Sequence, residues 1–173
     1  MSQLVPGQAF PSIDLPKVGG GRLTNADFTA PFFTVLNVYR GLHCPRCKAQ
    51  LADFTEHKAA MAELGVEVVS ISTDPQDRAE EVAADWGIAD MKIGYDLSIA
   101  QARGLGLFIS ESIREGETAF FAESALFMIR EDGVLWGSAI NSFPFMRPTA
   151  AMILDAAEMR RARNYPPRGN VAA

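Results

Sequence analysis

The only two cysteines among the 173 residues stand three positions apart, in Cys44-Pro45-Arg46-Cys47. An apolar, β-branched run over 32–39 precedes the motif, and apolar residues at helical spacing follow it. Pro45 suits the first turn of that helix. A thiol at a helix N-terminus meets unpaired backbone N–H groups, which favour the thiolate. The motif therefore predicts redox chemistry, with Cys44 as the attacking thiol and Cys47, one helical turn on, as the resolving thiol. We expect His43 and Arg46 to add positive charge nearby.

Two other interpretations of the motif are weighed against this one. Both thiols could be buried structural groups, since free cysteine behaves as a small hydrophobe. Alternatively, His43, Cys44, Cys47 and His57 could be zinc ligands. His57 is expected on the same helix, roughly 15 Å beyond Cys47 at 1.5 Å per residue, which is too far for one ion. We therefore expect neither a metal nor an organic cofactor.

Length and charge narrow the setting. The chain is expected to form one domain, 1–173, with an N-terminal extension over 1–30 and a tail over 165–173. Its net charge of −5 comes from 16 basic and 21 acidic residues, a balance that argues against a nucleic-acid partner. No apolar run is long enough to predict a membrane span, and the first residues lack the features of a secretory signal. A cytoplasmic location is the resulting expectation.

The pattern along the chain predicts an α/β fold. Strand and helix alternate first, which favours parallel pairing, and a strand hairpin with a covering helix follows. Thr24 and Asp27 resemble a capping box. Ser110 to Thr118 is expected to be a charged, mobile, solvated loop. The predicted strands are an edge hairpin around 13–23 and segments 32–39, 66–72, 91–95, 126–130 and 134–140; the predicted helices are 45–64, 73–86, 96–103 and 148–164.

This order, with Cys-x-x-Cys at the first strand-to-helix junction, resembles the thioredoxin-like fold, a central mixed β-sheet flanked by helices. Five segments are similar to the peroxiredoxin-like branch of the alkyl hydroperoxide reductase and thiol-specific antioxidant family. The resemblance implies a thiol peroxidase regenerated by a thioredoxin or glutathione-type reductant, and it is compatible with a homodimer. The segments are Tyr39-Arg40-Gly41-Leu42-His43-Cys44-Pro45-Arg46-Cys47, Gly65-Val66-Glu67-Val68-Val69, Phe121-Ala122-Glu123-Ser124-Ala125-Leu126-Phe127, Ser142-Phe143-Pro144-Phe145-Met146-Arg147-Pro148 and Tyr165-Pro166-Pro167-Arg168-Gly169.

The chain departs from that family at several positions. Asn37 and Gly41 stand where its members carry a Pro and a Thr or Ser, so the hydroxyl that orients a peroxide is missing. Ser124 stands near the position of the usual Arg. The acidic residue that thioredoxin carries before its first cysteine is replaced by Val38. Arg40, Arg46 and Arg147 are the candidate substitutes for the missing cation.

The segment before the last helix supplies a candidate rim for the site. In a thioredoxin-like fold it would bring Phe143, Phe145 and Arg147 close to Cys44, although the two aromatic residues could equally be core. Three functions follow as hypotheses. Cys44 could attack a peroxide or a substrate disulfide, ending in either case as a Cys44–Cys47 disulfide. In the third hypothesis, disulfide closure alone would make the chain a redox sensor or binding module.

Overall fold

A computed structural model describes residues 4–171 of the chain. Its strands and helices are named here in chain order. The strands are β1 (Asp14–Pro16), β2 (Arg22–Thr24), β3 (Phe33–Val38), β4 (Val66–Ile71), β5 (Lys92–Gly94), β6 (Ile109–Glu111), β7 (Phe120–Ala122), β8 (Ala125–Arg130) and β9 (Leu135–Ile140). The helices are α1 (Pro45–Glu56), α2 (Lys58–Glu63), α3 (Gln76–Asp85), α4 (Ile99–Gly104) and α5 (Ala150–Arg163).

A five-stranded mixed sheet forms the centre, in the order β5-β4-β3-β8-β9. Strand β3 pairs in parallel with β4 and antiparallel with β8. All six residues of β3 are buried, as expected for a central strand covered on both faces. Helix α1, which carries the cysteine motif, begins shortly after β3 ends. The motif therefore lies at the carboxyl end of the central strand.

The core lies on both faces of the sheet. One apolar cluster includes Phe33, Val35 and both cysteines, and the other includes Leu36 and Val38. Alternate residues of β3 therefore contribute to opposite faces, as the two-residue period of a strand requires. The predicted thioredoxin-like α/β fold with a central mixed sheet is confirmed.

Short-range predictions agree with the structure at the N-terminal side. Strands β1 and β2 pair antiparallel as an edge hairpin. The Thr24 hydroxyl accepts from Ala26 N–H at 3.2 Å, and the Asp27 carboxylate accepts the Thr24 N–H at 2.8 Å. Residues 1–3 of the predicted extension and 172–173 of the predicted tail lie outside the described residues. Within residues 4–171, no helix has the length and apolar character needed to cross a bilayer.

Two element predictions are wrong in part. The helix after the motif is not continuous, because α1 ends at Glu56 and α2 starts at Lys58. The intervening His57 turns its ring to the carbonyl of Asp53, with Nδ1 2.9 Å from that oxygen. The segment expected to be a solvated loop, Ser110 to Thr118, is irregular from residue 112 onward, but Ser110 and Glu111 belong to β6, which pairs antiparallel with β7. Burial of Phe121 at 1% exposure anchors this hairpin to the body of the protein.

Candidate active site

The two cysteines lie at the N-terminus of α1 and are both free thiols. Cys44 is the N-cap residue, and its Sγ accepts the backbone N–H of Cys47 at 3.3 Å. The Sγ of Cys47 in turn accepts the backbone N–H of Arg40 at 3.3 Å. Only 1% of Cys44 and none of Cys47 is exposed. The helix N-terminus thus holds both sulfurs inside the protein while its N–H groups point at them.

Arg147 spans both sulfurs with one guanidinium group. Its Nη1 lies 3.3 Å from Cys47 Sγ and its Nη2 lies 3.6 Å from Cys44 Sγ. The group is held in place because Nη1 also lies 3.4 Å from Gln50 Oε1 and Nε donates to the Pro144 carbonyl at 3.0 Å. Among residues 4–171, Arg147 has no carboxylate within ion-pair distance. Its positive charge is therefore directed at the thiols.

Arg40 provides a second cation on the other side of Cys44. Its Nη1 lies 4.0 Å from Cys44 Sγ, and its Nε lies 3.0 Å from Glu123 Oε2. Glu123 is buried at 5% exposure and also accepts the Ser110 hydroxyl at 2.6 Å. Because Glu123 neutralises part of the Arg40 charge, Arg147 is the stronger electrostatic partner of the thiols.

These contacts lower the pKa of Cys44 to about 5. The main cause is the hydrogen bond from the Cys47 thiol, and the Cys47 N–H and Arg147 add to it against the opposing effect of burial. The pKa of Cys47 is raised, because burial and the neighbouring Cys44 thiolate both disfavour a second charge. At neutral pH the pair therefore consists of a Cys44 thiolate and a Cys47 thiol, as attack by the first cysteine requires.

His43 does not supply the positive charge expected of it, whereas the Arg46 guanidinium lies against an aromatic ring. Burial, with Arg40 nearby, lowers the pKa of His43 to about 4, so its ring is neutral near pH 7. The ring packs 4.8 Å from the centroid of Phe121. The guanidinium of Arg46 lies 5.1 Å from the centroid of the Phe145 ring and forms part of the surface beside the site.

The positions that depart from the family also have a structural setting. Gly41 adopts φ +140°, and a Cβ there would lie 2.7 Å from Asp74 Oδ1, so that carboxylate occupies the space of a side chain at 41. Asn37 and Ser124 are buried at 1% and 2% exposure. The Ser124 carbonyl accepts the Asn141 N–H at 3.1 Å, which ties the start of β8 to the segment after β9.

Phe143 and Phe145 are surface residues, with 55% and 60% of each exposed. The alternative that they belong to the core is therefore wrong. Their ring centroids lie 5.4 Å apart, and Met146 beside them is 61% exposed. Since Arg147 follows directly and reaches the thiols, this aromatic pair forms an exposed apolar surface beside the two cysteines.

The lining of an open cavity of about 510 Å³ includes His43 and Pro45, the residues immediately before and after Cys44 in the sequence. A second, largely apolar cavity of about 440 Å³ includes Pro31 and Val66 and lies at the other end of the sheet. Within the described part of the chain, no three His, Cys, Asp or Glu side chains are close enough together to hold a metal ion. His57, considered above as a zinc ligand, instead lies 3.3 Å from the Asp53 carboxylate.

Three residues of this site were not among the sequence candidates. Gln50 supports Arg147, Glu123 pairs with Arg40, and Asp74 fills the space beside Gly41. Gln50 lies one helical turn after Cys47, and that spacing alone places it on the same helix face. Glu123 and Asp74 come from distant parts of the chain, and only their polarity beside buried strands marks them in the sequence.

The comparisons with known proteins bear on the family and the fold. A family model described as the AhpC/TSA family matches residues 6–136, well over half of the chain. No curated protein matches the chain in sequence. The solved structures named here are 16% to 20% identical to this chain and therefore show similarity of fold alone. They include peroxidoxin BcpB from Mycobacterium tuberculosis, with 19% identity, a TM-score of 0.74 and 93% of this chain and 99% of that chain covered. AhpC from Enterococcus faecalis has 20% identity, a TM-score of 0.74 and 94% and 97% covered. Reduced Prx3 from Vibrio vulnificus in complex with H₂O₂ has 16% identity, a TM-score of 0.75 and 90% and 99% covered.

Proposed function

We propose that this chain, which belongs to the AhpC/TSA family of thiol-dependent peroxidases, reduces peroxides at Cys44 and uses Cys47 as its resolving cysteine. The Cys44 thiolate attacks the terminal oxygen of ROOH, so an S–O bond forms, the O–O bond breaks and the alkoxide leaves as ROH after taking a proton. The resulting sulfenic acid condenses with Cys47: an S–S bond forms, and its hydroxyl leaves as water with the Cys47 proton.

The observation that carries this proposal is the shared guanidinium of Arg147, 3.3 Å from one sulfur and 3.6 Å from the other. A cation at this place stabilises the Cys44 thiolate before attack. Because it lies within 3.6 Å of Cys44 Sγ, the same guanidinium could also donate to the leaving oxygen as negative charge develops there, and a fixed donor at that point lowers a reaction barrier. Arg147, together with Arg40, thus replaces the hydroxyl that orients a peroxide in the family and that Gly41 does not provide.

The burial of Cys44 supports a peroxide over a protein disulfide as the oxidising substrate. With 1% of the residue exposed, an approaching protein would have to displace Arg147 and the adjoining rim before its sulfur met Cys44. A peroxide brings only two oxygen atoms to the thiolate. The solved structure of the Vibrio vulnificus neighbour holds H₂O₂, which supports the same substrate class for this chain.

Regeneration requires two electrons from outside the chain. A dithiol reductant of the thioredoxin type, or glutathione, would open the Cys44–Cys47 disulfide by thiol–disulfide exchange. Such a reductant pool favours the cytosol as the compartment, where disulfides are kept reduced. Because peroxiredoxins commonly form dimers, we include a homodimer in the proposal, and sedimentation of the reduced protein would test it.

A second candidate function is thiol–disulfide exchange with another protein. Two observations favour it, namely the three-residue spacing of the cysteines at a helix N-terminus and the exposed rim of Phe143 and Phe145 beside them. In that reaction Cys44 would form a mixed disulfide that Cys47 resolves. A non-enzymatic sensor would use the same cysteines but react once for each oxidation event.

A coupled assay separates these functions. NADPH oxidation is followed with thioredoxin reductase and thioredoxin while H₂O₂, an organic hydroperoxide or an oxidised protein disulfide is offered in turn. The proposal expects sustained turnover with a peroxide. Turnover with the disulfide alone would make the protein an exchange enzyme, and a single equivalent without turnover would make it a sensor.

Variants of the two cysteines test their separate roles. Cys44→Ser should abolish peroxide turnover, because the remaining thiol, Cys47, is fully buried and its pKa is raised by burial. Cys47→Ser should still consume one equivalent of peroxide but then stop, leaving a Cys44 adduct detectable by mass spectrometry. Unchanged turnover in Cys47→Ser would rule out the two-cysteine mechanism.

A further inference from the structure

Asp74 is a fully buried carboxylic acid between β4 and α3, with none of the residue exposed. Its Oδ2 accepts the backbone N–H of Leu42 at 2.7 Å, and its Oδ1 lies 3.2 Å from Arg78 Nε. It does not cap α3, because Pro75 is the N-cap residue and no side chain caps that helix. A buried charge is costly unless it is paired, and here both oxygens are engaged. The interactions join the β4–α3 connection to the turn that precedes Cys44.

The carboxylate occupies the space that a side chain at position 41 would need. Gly41 adopts φ +140°, a conformation that residues with a Cβ rarely take. A Cβ at this position would lie 2.7 Å from Asp74 Oδ1 and 3.0 Å from Oδ2. Glycine therefore meets two requirements at once, the backbone conformation and the closeness of Asp74.

The same turn leads directly to the reactive thiol. The Gly41 carbonyl accepts the Cys44 N–H at 3.0 Å, while Asp74 holds the N–H of Leu42. These two bonds hold the turn at two points. Cys44, at the end of this turn, is the N-cap residue of α1, and its Sγ accepts the Cys47 N–H at 3.3 Å.

We propose that Asp74 is a positioning residue for Cys44, and that its carboxylate holds the 41–44 turn in the conformation that presents the thiol to its hydrogen-bond donors. Arg78 connects Asp74 to a further segment, since it pairs with Asp74 and its Nη2 donates to the Gly116 carbonyl at 2.8 Å. The turn is thus tied both to the sheet and to the loop between β6 and β7. This inference rests on the proposed function only in taking Cys44 as the reacting thiol.

The test is the pH dependence of Cys44 alkylation by iodoacetamide in the reduced protein. Asp74→Ala should raise the midpoint by about one pH unit, which means about tenfold less thiolate at low pH. Asp74→Asn should raise it less, because the amide oxygen still accepts the Leu42 N–H. Asp77→Ala is the matched control, since Asp77 is an exposed acid in the first turn of the same helix, and it should leave the midpoint unchanged.

A midpoint that stays at the wild-type value in both Asp74 variants would overturn the proposal, even if the proteins were less stable. Should Asp74→Ala fail to fold, the same titration of Gly41→Ala decides, because its Cβ would displace the carboxylate and should also raise the midpoint; an unchanged midpoint there overturns the proposal as well. A double-mutant cycle adds a readout of proximity. Gly41→Ala should cost less stability in the Asp74→Ala background than in the wild type, and additive costs would contradict the contact. None of these measurements uses peroxide turnover, so they remain informative if the proposed peroxidase function is wrong.

Discussion

Replacement of Arg147 by methionine removes the guanidinium that spans the two sulfurs while keeping a side chain of similar length. At about 4 Å, two unit charges interact by about 4 kcal/mol with an effective dielectric constant of about 20. Arg147 is half-buried, so water would partly replace its guanidinium in the variant. The net loss of thiolate stabilisation should therefore be smaller than the Coulomb energy, about 1.5–3 kcal/mol, as for a hydrogen bond to a charged group. Since one pKa unit corresponds to about 1.4 kcal/mol, Arg147→Met should raise the pKa of Cys44 from about 5 by about 1 to 2 units.

Alkylation of the reduced protein by iodoacetamide across pH measures this change. The pKa of Cys47 is raised, so the first titration step reports the thiolate that forms at Cys44. Arg46→Met is the matched control, because Arg46 lies in the same motif but contacts the Phe145 ring. Its titration should coincide with the wild type. An unchanged midpoint in Arg147→Met, or an equal shift in both variants, would refute the assignment of Arg147 as the main cation of the site.

Three further outcomes are expected. The pKa of Cys44 of about 5 lies below that of an unfolded thiol, about 8.5, so the thiolate stabilises the fold fully above the unfolded value and this stability is lost as the pH falls towards 5. In urea denaturation, the reduced protein should therefore gain more stability than Cys44→Ser between about pH 5 and about pH 8.5; equal slopes would contradict the lowered pKa. Gly41→Ala should lower the free energy of unfolding by at least about 1–3 kcal/mol for its backbone conformation alone, whereas Gly104→Ala, a helical position with nothing near its Cβ, should not destabilise the protein. Disulfide formation removes the thiolate that Arg147 binds, so the Met146 N–H, which donates to the Phe143 carbonyl at 3.1 Å, should exchange with deuterium faster in the oxidised protein; equal exchange in both states would show that Arg147 does not hold this segment.

The fold was accessible from the sequence because its signals are local. The β-branched run of β3, the helical spacing after Cys47 and the Gly-rich turn between β1 and β2 each act over a few residues. The same holds for the capping box at Thr24 and Asp27. The two elements predicted wrongly lack such signals. Neither a glycine nor a proline marks the break at His57, and β6 is short enough to look like a charged loop.

In the candidate site, too, local sequence determined some features and tertiary packing determined the others. The sequence by itself determined that the two thiols lie together, because three-residue spacing on a helix brings them to one face and the helix N-terminus supplies N–H groups to them. Tertiary structure alone decided which cation serves the pair. Arg147 lies 103 residues after Cys44, whereas Arg46 lies only two residues after it. Only the packing of the segment between β9 and α5 brings Arg147, and not Arg46, to the two sulfurs. It also decided that Asp74 stands where a side chain at Gly41 would be. Local sequence sets short-range spacing, whereas contacts across the chain depend on how the sheet and its connections pack, which no short pattern encodes.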